Sequence, residues 1–140
     1  MKKILSVIIC VLCLASFFTV SADTQIKVFV EDSEIEFSVA PEIENDRTLV
    51  QLRPFFASLG AKVIMWDEAT STVHAQAEDG AIFSLQAGTN NLFYENEVLE
   101  LETSAKIKDG VTMVPVRAIA ERLGYSVEWI EETREIKIVK

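Results

Sequence analysis

The sequence predicts an α+β fold, in which antiparallel β-sheet packs with two short helices, built from two internal repeats of about 64 residues. Residues 47–53 (RTLVQLR) return in similar form as residues 111–117 (VTMVPVR), and a Leu-Gly pair follows each segment after five residues. Short apolar runs with a period of two, typical of half-buried strands, flank both segments. We expect the two halves, about 26–77 and 91–139, to pack as one domain, because two repeats in an open array would expose too much apolar surface.

Each half begins with a predicted β-hairpin. Residues 26–30 and 35–39 alternate between core-type apolar residues and other residues, and the four residues between them are polar. Residues 92–101 repeat this pattern around a three-residue polar turn. Asp32 and Asn96 stand at corresponding places in the two hairpins, and both residue types tolerate the left-handed backbone of tight hairpins.

A short amphipathic helix follows in each half. Apolar residues at i, i+3, i+4 and i+7 begin at Leu52 and again at Val116, which gives each helix one apolar stripe. Helices of about nine residues are unstable alone in water, so the stripes must pack on the sheet. Pro115 suits the first helical position, while Gly60 and Gly124 suit the position just past a helix end.

A strand ending in a tryptophan comes after each helix. The number of residues that separates corresponding positions of the two halves is constant up to Val63 and Val127. It is one residue smaller at Trp66 and Trp129. One residue has therefore been gained or lost just before the tryptophans. A tryptophan that closes an apolar strand is usually part of the core, and stacking on a sugar ring is the alternative.

The first 22 residues have the pattern of a signal peptide. Lys2 and Lys3 form a basic region, residues 4–20 are uncharged and apolar, and small residues precede a cleavage site after Ala22. An uncleaved membrane anchor is the alternative. We therefore expect a secreted or extracellular protein with no membrane span after cleavage, and any retention at the cell envelope to be non-covalent.

The remaining chain, residues 23–140, has the composition of one core-stabilised domain. Both cysteines lie in the predicted signal peptide, so we expect no disulfide to stabilise the remaining chain. The formal net charge of the whole chain is −9, and it becomes −11 without Lys2 and Lys3. Because a nucleic-acid ligand needs clustered Lys and Arg, this charge argues against one.

The chain is poor in catalytic residue types. His74 is the only histidine, and by strand alternation it faces away from Val73 and Ala75. No serine lies in a Gly-x-Ser-x-Gly setting. We expect no catalytic residues, no cofactor and no metal site, although two alternatives stay open. These are a hydrolase with paired carboxylates, and calcium bound by the acidic turns at residues 67–68 and 131–132.

Two arginines occupy matching positions. Arg53 and Arg117 each stand at the second position of a predicted helix, beside an apolar residue. We expect the stem of each side chain to pack on the core and its head to hold carbonyls or a carboxylate of the adjacent turn. Ligand binding is the alternative.

Together these motifs resemble the copper amine oxidase N-terminal domain family, also called the stalk domain. The resemblance covers residues 26–139. Gln51 departs from it where the family has proline, and Asp32 and Asn96 depart from it where the family has hairpin glycines. The motif residues, which we expect to be structural, are Arg47, Thr48, Arg53, Gly60 and Trp66 in the first half, and Thr112, Pro115, Arg117, Gly124 and Trp129 in the second.

The resemblance implies a non-catalytic α+β module of exported bacterial proteins. It does not imply copper, because the oxidase activity belongs to a separate domain with three histidine ligands, and one histidine cannot supply such a site. We therefore expect a binding or structural module that acts at the cell envelope, with a protein or a cell-wall glycan as its partner. The alternatives are a wall-modifying hydrolase, a carbohydrate-binding module, and self-association through an edge strand.

Overall fold

The computed structural model describes residues 25–140. The predicted signal peptide, residues 1–22, lies outside the described residues. The predicted α+β class is confirmed, since two helices accompany mostly antiparallel sheets. The helices are α1 (Leu52–Ser58) and α2 (Val116–Arg122). The strands are β1 (Lys27–Val30), β2 (Ser33–Glu34), β3 (Glu42–Glu44), β4 (Arg47–Gln51), β5 (Lys62–Asp67), β6 (Thr72–Gln76), β7 (Ile82–Gln86), β8 (Asn91–Tyr94), β9 (Glu97–Glu100), β10 (Lys106–Lys108), β11 (Val111–Pro115), β12 (Ser126–Ile130) and β13 (Glu135–Val139).

The strands form three sheets. The motif sheet has the order β10-β11-β4-β3, and its middle pair, β4 and β11, is antiparallel with Val50 opposite Val114. The mixed sheet has the order β12-β13-β1-β2, and β1 and β13 run parallel within it. The five-stranded sheet runs β5-β6-β7-β8-β9 and is antiparallel throughout. Within the described residues, no helix has the length and apolar character needed to cross a membrane.

The main core lies where the two helices pack on the sheets. Phe55 and Phe56 of α1 are fully buried, and the ring centroids of Phe56 and Phe83 are 5.3 Å apart. On α2 the buried residues are Val116, Ile119 and Ala120. The predicted apolar stripes therefore form and face the core, as helices of seven residues require.

Both helices end in a Schellman motif. After α1, the Gly60 N–H donates to the Ala57 carbonyl at 3.1 Å and the Ala61 N–H donates to the Phe56 carbonyl at 2.9 Å. The matching bonds after α2 measure the same lengths. Gly60 and Gly124 have φ of +73° and +93°, so each is the left-handed residue that this motif needs. Pro115 differs from its predicted first helical position, because it has an extended backbone and ends β11 just before α2 begins.

The first hairpin is shorter than predicted. Its turn is Glu31-Asp32, both with positive φ, and the returning strand β2 spans Ser33–Glu34 alone. Residues 35–39 are not a strand. The backbone N–H and the hydroxyl of Ser38 both donate to the Gln51 side-chain carbonyl, at 3.0 and 3.1 Å, so a side chain takes the place of a neighbouring strand there.

A β-bulge accounts for the change in offset before the tryptophans. The pairing of β5 with β6 shifts between Val63 and Met65, which leaves Ile64 as the extra residue. The pairing of β12 with β13 runs in regular register from Ser126 to Ile130. A bulge inserts one residue into one strand, so the first half holds the additional residue.

Ion pairs cross the motif sheet from one edge to the other. Lys106 of β10 pairs with Glu42 and Glu44 of β3, and Lys108 pairs with Glu42 at 2.6 Å. The edges of a flat four-stranded sheet would lie roughly 14 Å apart, so these long side chains extend toward each other across the sheet. Glu42 stands opposite Leu49 and Lys106 stands opposite Met113, and both apolar residues are fully buried. The ion-paired side chains therefore cover this face of the sheet.

Replacing Phe56 by Ala should destabilise the fold by about 3–5 kcal/mol, because the change leaves a cavity in the centre of the core. Phe93→Ala is the matched control, because Phe93 is 42% exposed, and it should cost less than about 1 kcal/mol. Urea unfolding of residues 23–140 measures both values. Equal costs for the two changes would contradict this assignment of the core.

Replacing Glu42 by Gln should make the protein less sensitive to acid. Hydrogen bonds from Lys106 and then Lys108 lower the pKa of Glu42 below its ordinary value of 4.5. A group whose pKa is lowered by folding stabilises the fold above that ordinary value, and its contribution is lost as the pH falls below 4.5. Thermal melts between about pH 7 and pH 2 should therefore show a smaller acid-induced drop in melting temperature for Glu42→Gln than for the wild type.

Glu36→Gln is the control for the acid experiment. Glu36 is exposed and forms no ion pair among the described residues. Its variant should follow the wild-type melting curve at every pH. If Glu42→Gln also follows it, the ion pairs across the motif sheet do not stabilise the fold.

Candidate functional site

A large cavity opens where the motif sheet meets α2 and the mixed sheet. Its volume is about 520 Å³. Side chains from β3 and β4 form one side, and the start of α2 together with β12 and β13 forms the other. A volume of this size falls in the range typical of small-molecule sites.

Five of the ten predicted motif residues meet in this large cavity. Arg47 and Thr48 come from β4 in the first half, while Pro115, Arg117 and Trp129 come from the second half. The antiparallel pairing of β4 and β11 brings them together, because it places the start of α2 beside β4.

Three further motif residues, Arg53, Trp66 and Thr112, line a second and smaller cavity of about 140 Å³. The remaining two, Gly60 and Gly124, form the helix ends and line neither cavity. The motif therefore separates into two groups of lining residues and a pair of helix caps.

The two cavities are lined by positions that correspond between the two predicted repeats. Arg53, Thr112 and Trp66 of the small cavity correspond to Arg117, Thr48 and Trp129 of the large one. The other corresponding pairs, named with the small-cavity residue first, are Gln51 with Pro115, Leu52 with Val116, Gly110 with Asp46, Val111 with Arg47, and Val73 with Ile136.

Charge distinguishes the large cavity from the small one. Arg117 donates to the Glu121 carboxylate and to the Val127 carbonyl, both at 3.1 Å. Arg47 forms an ion pair with Glu102. Positions 57 and 38, which correspond to Glu121 and Glu102, hold alanine and serine. The large cavity therefore contains pairs of hydrogen-bond donors and acceptors that have no counterparts in the small one.

Trp129 and Arg134 form one wall of the large cavity. Trp129 is half-buried against the core, and its indole N–H donates to the Glu131 carboxylate. The Arg134 guanidinium lies 5.9 Å from the centre of the Trp129 ring, within the range of a cation–π contact. The tryptophan thus combines the predicted core packing with a surface that faces the cavity.

The two arginines at matching helix positions differ in their contacts. Arg117 holds a carbonyl and a carboxylate, as predicted. Arg53 is exposed, and its guanidinium has no hydrogen bond among the described residues, so the hydrogen bonds predicted for its head do not form. The difference follows from the sequence, because Arg117 has Glu121 one helical turn away whereas Arg53 has Ala57.

Sequence reasoning missed Glu102, Glu121 and Arg134, because none of them belongs to the repeated motif. A position-by-position comparison of the halves would have found them, since Ser38, Ala57 and Ser71 occupy the corresponding positions.

His74 and the acidic turns have ordinary surroundings. His74 faces away from the buried Val73 and Ala75, and its Nδ1 lies 2.7 Å from the Ser84 hydroxyl. The Asp67 carboxylate accepts the Ala69 N–H at 3.0 Å within its turn. Among residues 25–140, no group of three or more His, Cys, Asp or Glu side chains is arranged to hold a metal ion.

Replacing Arg117 by Ala should lower the free energy of unfolding by about 1 kcal/mol, because the change removes a hydrogen bond and a partly exposed ion pair. Arg53→Ala is the matched control and should change it by less than about 0.5 kcal/mol, since no bond is lost. Urea titrations of both variants test the difference. An equal loss for the two variants would contradict these contacts.

The chain was also compared with known proteins. A family model for the copper amine oxidase N-terminal domain matches residues 29–138, a span that includes every residue lining either cavity. The searches of curated proteins and of solved structures found no match. The copper amine oxidase N-terminal domain is a non-catalytic domain family. Because the family model covers most of its length, the chain belongs to the copper amine oxidase N-terminal domain family.

Proposed function

We propose that this protein is a secreted, non-catalytic binding module and that the large cavity is its ligand site. The observation that carries the proposal is the concentration of Arg47, Arg117, Trp129 and Arg134 in one cavity of about 520 Å³. Small-molecule sites combine an apolar wall with a few placed polar groups in this way. The signal-like segment at residues 1–22 supports export, and with it action at the cell envelope or in the medium.

We infer that the chain consists of two copies of one unit, with β7 inserted between them. Elements at corresponding places in the two halves support this inference, for example α1 with α2 and β4 with β11. The small cavity has the lining that the two copies share, without the ion pairs that are present in the large one. The charged groups distinguish the large cavity from the small one, and binding is the role that best accounts for them.

Binding fits the cavity better than hydrolysis does. A hydrolase with paired carboxylates needs one carboxyl group that keeps its proton until the reaction. Glu102 and Glu121 are each ion-paired with an arginine, so neither stands as a free carboxyl group in the cavity. These pairs suit a site that donates and accepts hydrogen bonds.

The partner we propose is a cell-wall glycan. Aromatic side chains such as Trp129 offer a flat apolar surface to a sugar ring, while arginine and carboxylate groups bond to its hydroxyls. A protein partner at the envelope is the second candidate.

Replacing Trp129 by Ala should reduce binding to purified cell-wall material by at least roughly tenfold, since a central aromatic residue contributes about 2 kcal/mol or more. Trp66→Ala is the matched control, because Trp66 occupies the corresponding position in the small cavity and is likewise half-buried against the core. Its binding should stay within about twofold of the wild type. Sedimentation with insoluble wall material measures both.

Two results would contradict the proposed function. Equal losses for Trp129→Ala and Trp66→Ala would mean that the large cavity is not the ligand site. Release of soluble sugar fragments by the wild-type protein, abolished in Glu121→Gln, would mean that the protein is a hydrolase.

A further inference from the structure

Building on the proposed function, we propose that the large cavity binds a sugar that carries a carboxylate, and that Arg134 is the residue that binds this carboxylate. The inference goes beyond glycan binding in general, because it assigns the charged group of the ligand to one side chain. Four features of the cavity support it.

The first feature is an arginine whose guanidinium has no hydrogen-bond acceptor and no ion-pair partner among the described residues. Arg47 and Arg117, the other two arginines of the cavity, are each paired with a carboxylate. The Arg134 guanidinium has no hydrogen bond or ion pair with any described residue, and its Nε is buried. The terminal amino groups of this guanidinium are therefore free to bind a ligand carboxylate in the bidentate geometry that guanidinium prefers.

The second feature is the backbone of Arg134. Its φ is +53°, a left-handed conformation that is uncommon for residues other than Gly, Asn and Asp. Ser71 occupies the corresponding turn of the first half with the same φ. The turn therefore does not need an arginine, and the side chain is the part of Arg134 that a ligand site would use.

The third feature is the position of the guanidinium beside Trp129. The guanidinium lies 5.9 Å from the centre of the Trp129 ring, within cation–π distance. A cation beside an apolar wall matches a ligand in which a carboxylate is attached to a ring, and uronate sugars have this form. Free acids without a ring would leave the apolar wall unused.

The fourth feature is the presence of further hydrogen-bond acceptors among the residues that line the large cavity. Asp46 and Glu100 line the cavity, and no side chain in the described residues forms an ion pair with either carboxylate. Carboxylate oxygens accept hydrogen bonds, so a ligand rich in donors suits this part of the lining. Sugar hydroxyls supply such donors around the whole ring, which favours a sugar over an extended peptide.

The net negative charge of the protein does not prevent binding of an acidic sugar. Charges on an exposed surface are largely screened beyond about 8 Å at physiological ionic strength. The unpaired carboxylates of Asp46 and Glu100 line the same cavity and repel an acidic group, so the ligand must place its carboxylate at Arg134 and its hydroxyls at these two residues. The affinity for an acidic sugar should depend on added salt.

The test compares trisaccharides of galacturonate and of glucuronate with their methyl esters, which keep the ring and hydroxyls but lack the charge. Calorimetry gives the affinities, and fluorescence in a Trp66→Phe background reports on Trp129 alone. At least one free acid should bind at least tenfold more tightly than its methyl ester. Arg134→Ser, which reproduces the residue at position 71, should remove this preference.

The control variant is Arg122→Gln. Arg122 also has a buried Nε without an acceptor and lies 4.2 Å from the centre of the Tyr94 ring, but it does not line the large cavity. It should leave the preference for the acid unchanged. Losses of equal size in both variants would show that arginine charge acts non-specifically, and would overturn the inference.

Three results separate the failure of this inference from the failure of the proposed function. Equal binding of acids and esters with a change in Trp129 fluorescence overturns the role of Arg134 and leaves the cavity as the site. No binding of any uronate, together with a loss of wall binding in Trp129→Ala alone, also overturns the inference and keeps the proposed function. If Trp129→Ala leaves binding to wall material unchanged, both the role of Arg134 and the proposed function are overturned.

Discussion

The antiparallel pairing of β4 with β11 is the constraint on which the rest of the structure depends. Val50 and Val114, which occupy corresponding positions in the two halves, face each other at its centre. Each strand continues directly into a helix, so the pairing sets α2 beside β4 and α1 beside β11. Both cavities therefore contain residues of both halves, and neither half could form one alone.

Local patterns in the sequence were sufficient to predict the elements that depend on local physics. The helix stripes beginning at Leu52 and Val116, and the glycines that end the helices, follow from spacing and from backbone freedom. The change in offset before Trp66 located the bulge to within a residue or two. The strand predicted over residues 35–39 failed, because a bond from Ser38 to Gln51, far along the chain, replaces the sheet there.

The cavity could be predicted only in part, because its charged contacts lie outside the repeated motif. Arg47 and Arg117 stood out as motif residues, whereas Glu102 and Arg134 come from segments that the motif does not include. The residues that form ion pairs across the motif sheet also lie outside the repeated motif. Glu42 and Glu44 have Lys106 and Lys108 as their counterparts in the second half, so corresponding positions of opposite charge attract each other where identical residues would repel.

Native-state hydrogen exchange tests most directly whether β4 and β11 hold the two halves in one cooperative unit. The amide protons of both strands should be among the slowest to exchange, and the free energies of their slowest amides should equal the global free energy of unfolding measured with urea. The same value in both halves would support the account. Amides of β11 that exchange through a partial opening of residues 91–139, while those of β4 stay protected, would contradict it.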